Sequence, residues 1–166
     1  MDALPYFVSD DNISLFTKYG VFSETEIRSR YEILLENYYK TINIEALTMV
    51  DLIKKEVTSY LFDYQLALSE LANGKKALSL GYETESAKLN TLSALGTSLF
   101  AALEKLEGSI SGLDEIPEVY DKAVYAHDSV VANMGTLRAI VDELETIIPK
   151  KYWNLPTYGE ILYSVK

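Results

Sequence analysis

The feature that most constrains the fold is the long stretch between Ser23 and Asn73, which contains neither proline nor glycine. Apolar residues recur in it every three or four positions, the period of one face of an α-helix. Ser23 and Glu26 form a capping box at its start, and Asn73–Gly74 is suited to its end. The pattern predicts one helix of about 50 residues, roughly 75 Å long. Its predicted seam is Ile27, Tyr31, Leu34, Tyr38, Ile42, Ala46, Met49, Ile53, Val57, Tyr60, Tyr64, Ala67 and Leu71.

A second stripe on the same helix predicts that it touches two neighbours. Its members are Leu35, Tyr39, Val50, Leu61 and Leu68.

Two further helices of about 30 residues each are predicted after this one. The second begins near Thr84 and runs to the break at Asp114–Pro117, with Pro117 in the first turn of the third helix. Pro149 closes that third helix. The predicted seam of the second helix is Leu92, Gly96, Leu99, Leu103, Leu106, Ile110 and Leu113. That of the third is Tyr120, Ala123, His127, Val130, Met134, Leu137, Val141, Leu144 and Ile148.

Both ends of the chain predict short helical segments. Residues 1–22 are interpreted as an approach segment, with caps available at Ser9 to Asn12 and a helix end at Gly20. In the tail, Thr157 and Glu160 repeat the capping-box spacing and predict a final helical turn through Leu162. The predicted fold is all-α: an antiparallel bundle of three long helices over residues 23–166, completed by these short segments.

Composition excludes several functional classes. The net charge of −10 argues against nucleic acid and against anionic membranes as partners. No apolar run approaches the roughly 20 residues of a spanning helix. The chain has no cysteine, so it has neither a disulfide nor a thiolate metal site. This composition is compatible with the cytoplasm, which is the location we expect.

The unequal helix lengths predict an overhang. If the turn after residue 73 aligns the helices at one end, residues 24 to about 42 run past the other two. This stretch is rich in apolar residues, and exposed apolar patches usually mark contact surfaces. Either the two chain ends fold back over it or it docks on a partner. The candidate interface residues are Ile27, Tyr31, Leu34, Leu35, Tyr38, Tyr39 and Ile42.

No constellation of catalytic or metal-ligating residues is apparent. The single histidine, His127, lies on the predicted apolar seam, so we expect a core residue bonded to a tyrosine or a backbone group. Glu45 lacks a carboxylate partner for acid–base chemistry. The glycines at 108 and 112 lie in a helix rather than in a phosphate-binding loop. We predict no catalytic, cofactor or metal residue.

The aromatic tail is predicted to dock on the bundle. Each buried aromatic contributes roughly 150–250 Å² of contact, so the tail could cover a substantial surface. A glycine in the middle of a helix costs about 1 kcal/mol relative to alanine, and Gly96 and Gly135 could make room for Trp153. The residues expected to dock are Trp153, Leu155, Tyr158 and Leu162.

Almost the whole chain resembles one family, the C-terminal region of type III glutamine synthetases. The segments that carry the resemblance are LPYFVSDDNISLFTKYGVF (4–22), RSRYEILLENYYKTINIEALTMVDL (28–52), LRAIVDELE (137–145) and YWNLPTYGEILYSV (152–165). Asn154 stands where the family often has proline. Residues 75–118 carry little specific signal.

The resemblance implies a helical region excised from a larger enzyme that joins glutamate and ammonia with ATP and divalent cations. It also implies that the parent enzyme forms large homo-oligomeric rings. The family's metal, nucleotide and substrate residues lie outside the matching region, so none is carried over. Residues 1–22 then correspond to the stretch that leaves the catalytic domain.

Two functional hypotheses remain open at this stage. The first is a non-catalytic helical domain of a glutamine synthetase, with a structural, docking or assembly role towards the parent catalytic domain and other copies of the chain. The alternative is a free-standing adaptor that binds a protein partner through the overhang. Whether the reading frame continues upstream into a catalytic domain separates the two.

Overall fold

The computed structural model describes residues 3–156 and 158–163, without the side chain of Tyr158. Over these residues every regular element is helical and no strand occurs, which confirms the all-α class. The elements are α1 (Leu4–Phe7), α2 (Asp10–Lys18), α3 (Glu24–Leu52), a π-helical segment (Ile53–Val57), α4 (Thr58–Ala77), α5 (Glu83–Asp114), α6 (Val119–Tyr125), a second π-helical segment (Ala126–Val131), α7 (Ala132–Ile147) and α8 (Tyr158–Tyr163). The three-helix bundle itself stays a prediction.

The predicted first helix exists, and its start has the predicted cap. The Ser23 N–H donates to Glu26 Oε2 at 2.8 Å, and the Glu26 N–H donates to Ser23 Oγ at 3.3 Å. Helical backbone continues from Glu24 through the first π-helical segment to Ala77. The hydrogen bond from the Ser23 backbone lowers the pKa of Glu26, because it favours the carboxylate form.

The predicted end of this helix at Asn73–Gly74 is wrong. The helix continues to Ala77 and closes with the hydrogen bonds Ser79 N–H to Lys76 O and Leu80 N–H to Lys75 O, a Schellman arrangement. Ser79 takes the left-handed conformation, with φ at 55°. The predicted end at Gly20 is confirmed, because α2 closes with the same pair of bonds and Gly20 has φ at 66°.

The second and third helices lie close to their predicted positions. Helix α5 begins at Glu83, and six of its seven predicted seam residues are buried. Pro117 lies two residues before Val119, the start of α6, so the prediction of a first-turn proline is wrong. The N-cap position is taken by Glu118.

The two π-helical segments were not predicted. Beyond the first segment, the predicted seam residues Tyr60 and Tyr64 are buried, and so is Leu68 of the second stripe. The predicted seam residue Leu71 is 50% exposed, and its neighbour Ala72 is buried instead. In that segment the Thr58 hydroxyl donates to Ile53 O, five residues back, at 2.9 Å.

The chain divides into two compact units. One contains residues 1–50 and 104–136, and the other contains residues 51–103 and 137–166. In the first, Lys122 lies over the ring of Tyr39, and the Tyr125 hydroxyl lies over the backbone of Gly112. In the second, α4 and α5 run antiparallel: Lys75 pairs with Glu85 at 2.6 Å, and Gln65 meets Ser93 at 3.5 Å.

None of the described helices is both long enough and apolar enough to cross a membrane.

Candidate docking surfaces

The seven candidate interface residues of α3 divide by burial. Ile27 is 0% exposed and Leu35 is 1% exposed, so both belong to the core of the first unit and neither can meet a partner. Their inclusion in the overhang is wrong because this part of α3 already has packing neighbours within the unit. Leu34 is 44% exposed, and the other four are half-buried: Tyr31, Tyr38, Tyr39 and Ile42.

Tyr31, Leu34 and Tyr38 form a contiguous strip, which we call the Leu34 surface. Their spacing of three and four residues places them on one face of α3. One ion pair within the helix, Arg28 with Glu24 at 2.8 Å, lies beside the strip. The carboxylates of Asp128 and Glu45 lie near its Tyr38 end.

Tyr31 and Tyr38 are partly withdrawn from water. Burial is the main cause that raises the pKa of both hydroxyls, and the Asp128 carboxylate adds to it at Tyr38. Tyr31 borders a cavity of about 280 Å³ that is also lined by Val8 and Tyr120. The approach segment thus reaches this part of α3 and covers some of it.

Tyr39 lies between two lysines rather than against a partner. Lys122 Nζ is 5.5 Å from the centre of its ring, and Lys40 Nζ is 5.9 Å away. Both distances are within the range of a cation–π contact. Tyr39 is therefore occupied by contacts within the first unit.

The aromatic tail packs on α4 in the second unit. Trp153 is 3% exposed, and its ring centre is 5.5 Å from that of Tyr60. The ring centres of Tyr152 and Tyr64 are likewise 5.3 Å apart. Lys150 Nζ donates to Leu155 O at 2.9 Å and to Glu160 Oε2 at 2.8 Å, which ties the rest of the tail back to its start.

The other tail residues differ from Trp153. Leu155 is half-buried, while Leu162 is 71% exposed. The side chain of Tyr158 and the capping position Thr157 lie outside the described part of the chain. The closing helix exists as α8, Tyr158–Tyr163.

Neither Gly96 nor Gly135 makes room for Trp153, so that prediction is wrong. A Cβ on Gly96 would meet Leu61 Cδ2 at 3.2 Å, and a Cβ on Gly135 would meet nothing within 4 Å. Gly96 instead lets α4 and α5 approach each other closely.

His127 is not a core residue, because its neighbour Ala126 takes the inward position between Ala123 and Val130. All three of these residues are fully buried. The side chain of His127 is 50% exposed, and its Nδ1 is 2.7 Å from Asp128 Oδ1. Arg138 pairs with Asp142, four residues later in the same helix, at 3.5 Å.

Sequence reasoning missed a second group of exposed apolar residues. They lie outside both predicted stripes, so a search for helical periodicity passes over them. The one sequence signal that could have indicated them is the large number of apolar residues outside the two predicted stripes. The most exposed on the first long helix are Ile33, Ile44, Leu47, Phe62 and Leu66.

Among the described residues, no group of three or more histidine, aspartate or glutamate side chains is placed to hold a metal ion.

Comparison with known proteins gives the same family over the whole chain. Residues 1–76 match the family model described as the glutamine synthetase C-terminal domain. The chain is 42% identical to a glutamine synthetase of Butyrivibrio fibrisolvens, over 99% of this chain and 24% of that protein. It is 31% identical to the type-3 glutamine synthetase of Dictyostelium discoideum, over 98% of this chain and 23% of that protein.

The fold and these matches define a helical domain that corresponds to about a quarter of a longer protein. A glutamine synthetase of Bacteroides fragilis matches over the same share, at 25% identity. The chain belongs to the glutamine synthetase C-terminal domain family, and the resemblance stated from the sequence is confirmed.

Proposed function

We propose that this chain is a non-catalytic helical domain of a glutamine synthetase, an ATP-dependent glutamate–ammonia ligase of the cytoplasm. Its role is to dock on the catalytic domain or to hold copies of the enzyme together. The Leu34 surface is the part of the chain that makes this contact. The relatives that match this chain are named as glutamine synthetases, and their names support the assignment to this enzyme.

The observation that carries the proposal is the exposure of Leu34 between two half-buried tyrosines on one helical face. Tyrosine is enriched at the centre of interfaces, and an exposed leucine beside it adds apolar surface that a partner could cover. Arg28 and Glu24 beside the strip are already paired with each other, and the carboxylates of Glu45 and Asp128 lie at its Tyr38 end.

The assembly role is tested by replacing Tyr31, Leu34 and Tyr38 with serine in the full-length enzyme that carries this domain. We expect the oligomer to lose mass in light scattering, while the variant domain alone keeps most of its melting temperature. The matched control replaces Ile33, Ile44 and Leu47 with serine, since these apolar residues are more exposed and lie on another face of α3. An unchanged oligomer mass in the first variant contradicts the proposal.

The non-catalytic role is tested with the purified 166-residue chain. We expect no glutamine formation from glutamate, ammonia and ATP with divalent cations, because the chain corresponds to only a quarter of its relatives' length. The full-length enzyme serves as the positive control. Turnover by the purified chain would overturn this part of the proposal.

A further inference from the structure

The aromatic tail has two parts that are attached to the chain in different ways. The first part, which we call the anchored tail, is a turn over residues 149–153. In it the Tyr152 N–H donates to Pro149 O at 2.8 Å, and the Trp153 N–H donates to Lys150 O at 3.2 Å. Trp153 is 3% exposed and packs on α4. Because a large aromatic ring is buried there, the anchored tail is part of the core of the second unit.

The second part of the tail, helix α8, has much less burial to hold it. Ile161 is 58% exposed, Leu162 is 71% exposed and Tyr163 is 82% exposed. The helix has six residues, whereas isolated helices shorter than about 12–15 residues are marginal in water, and most helical stability in proteins comes from packing. Polar contacts therefore contribute a larger share of the stability of α8 than they do in the long helices.

Lys150 connects the anchored tail to α8. Its Nζ donates to Leu155 O at 2.9 Å and to Glu160 Oε2 at 2.8 Å. Glu160 lies in the first turn of α8, where a carboxylate also favours the helix through the helix dipole. The two side chains are 50% and 54% exposed, so water and salt reach the ion pair. One ammonium group thus joins the anchored tail, the connecting segment and the closing helix.

We propose that α8 is a releasable helix and that Lys150 sets the equilibrium between its held and released forms. Release breaks the two bonds of the Lys150 ammonium and unwinds α8, while Trp153 stays buried. Segments with few buried apolar contacts open locally in this way without unfolding the core. Because the ion pair is exposed, added salt favours release. This inference does not rest on the function proposed for the Leu34 surface.

The first test places a nitroxide spin label on α8 of the 166-residue chain. The chain has no cysteine, so Leu162→Cys is labelled at one site, and the exposure of Leu162 leaves room for the label. Electron paramagnetic resonance separates the slow motion of a label on a helix from the fast motion of a label on an unstructured segment. We expect Lys150→Met to raise the ratio of fast to slow component about threefold or more, the size of effect typical of an exposed ion pair with a charged hydrogen bond. Lys150→Arg, which keeps the charge, should keep this ratio low.

Lys151→Met is the matched control for this test. It removes the same residue type at the next position, where Nζ lies 5.1 Å from the ring centre of Tyr152 in the anchored tail. We expect it to leave the spectrum of the label unchanged. An unchanged spectrum in Lys150→Met overturns the proposal, and so does an equal effect of the two substitutions.

The second test asks whether Lys150 acts through Glu160. In the same labelled chain, Glu160→Gln should also raise the fast component. Adding it to Lys150→Met should then have little further effect, because substitutions of two groups in direct contact are not additive. Added salt should raise the fast component of the chain with the intact pair but not that of the double variant. Fully additive effects, or the same salt dependence in both chains, contradict the proposed role of the pair.

The third test shows that release is confined to α8. Trp153 is the only tryptophan of the chain, so its emission reports the anchored tail in the same samples. We expect the emission maximum to be the same with and without Lys150→Met, because the indole stays buried. A shift to longer wavelength would mean that the whole tail leaves together, and the division into an anchored tail and a releasable helix would then be wrong.

Discussion

Two sets of aromatic residues in this chain have opposite surroundings. The tail residues Tyr152 and Trp153 meet Tyr64 and Tyr60 of α4, and both tyrosines of α4 are less than 10% exposed. The tyrosines of α3 have no ring of the chain stacked on them among the described contacts, and they remain half-buried. Residue type alone does not distinguish core from surface here. Tyr60 and Tyr64 belong to the core because the tail segment packs over them.

The largest effect is expected for Trp153→Ala, which removes the tail residue that packs on Tyr60. Removing a large buried aromatic usually costs about 3–5 kcal/mol of unfolding free energy. We expect a loss of this size in urea unfolding followed by circular dichroism. Tyr163→Ala is the control, because Tyr163 is 82% exposed and its removal should have little effect. Similar losses in both variants would mean that Trp153 does not anchor the tail.

The pH dependence of stability sharpens the comparison at Tyr60. Burial and a 2.7 Å hydrogen bond to Glu56 raise its pKa from 10.0 to about 12. The unfolded chain therefore loses this proton first. The contribution of Tyr60 is complete below pH 10 and is lost as the pH rises towards 12, by about 2 kcal/mol over the interval.

Tyr60→Phe is the variant that isolates this contribution, because other tyrosines also titrate at high pH. We expect urea unfolding of the variant to depend less steeply on pH between 10 and 12 than that of the wild-type chain. The same slope in both proteins would show that Tyr60 ionises equally in the folded and unfolded states.

The smallest effect is expected at Tyr125, a tyrosine of the first unit whose hydroxyl lies close to the backbone of Gly112. A Cβ on Gly112 would lie 2.6 Å from its hydroxyl oxygen, so Gly112→Ala forces the ring to move. We expect a net loss of about 1 kcal/mol in unfolding free energy, since the overlap outweighs the helix propensity gained. Gly108→Ala, with nothing within 4 Å, should instead stabilise the chain. A gain in both variants would mean that the Tyr125 contact is loose.

The sequence by itself determined the helical class, the positions of the long helices and several of their ends. Apolar spacing and caps are local properties, so the Ser23–Glu26 capping box and the end at Gly20 could be recognised from a few residues. The family could be recognised as well, because the matching segments extend over most of the chain.

Only the tertiary structure decided which faces of the helices are covered. His127 and Leu71 are exposed where the spacing predicted core, because their neighbours Ala126 and Ala72 take the inward positions. The burial of Ile27, Leu35 and Trp153 depends on segments that are distant in sequence. Helical period fixes the side chains that share a face, but contact with another segment determines whether that face meets water.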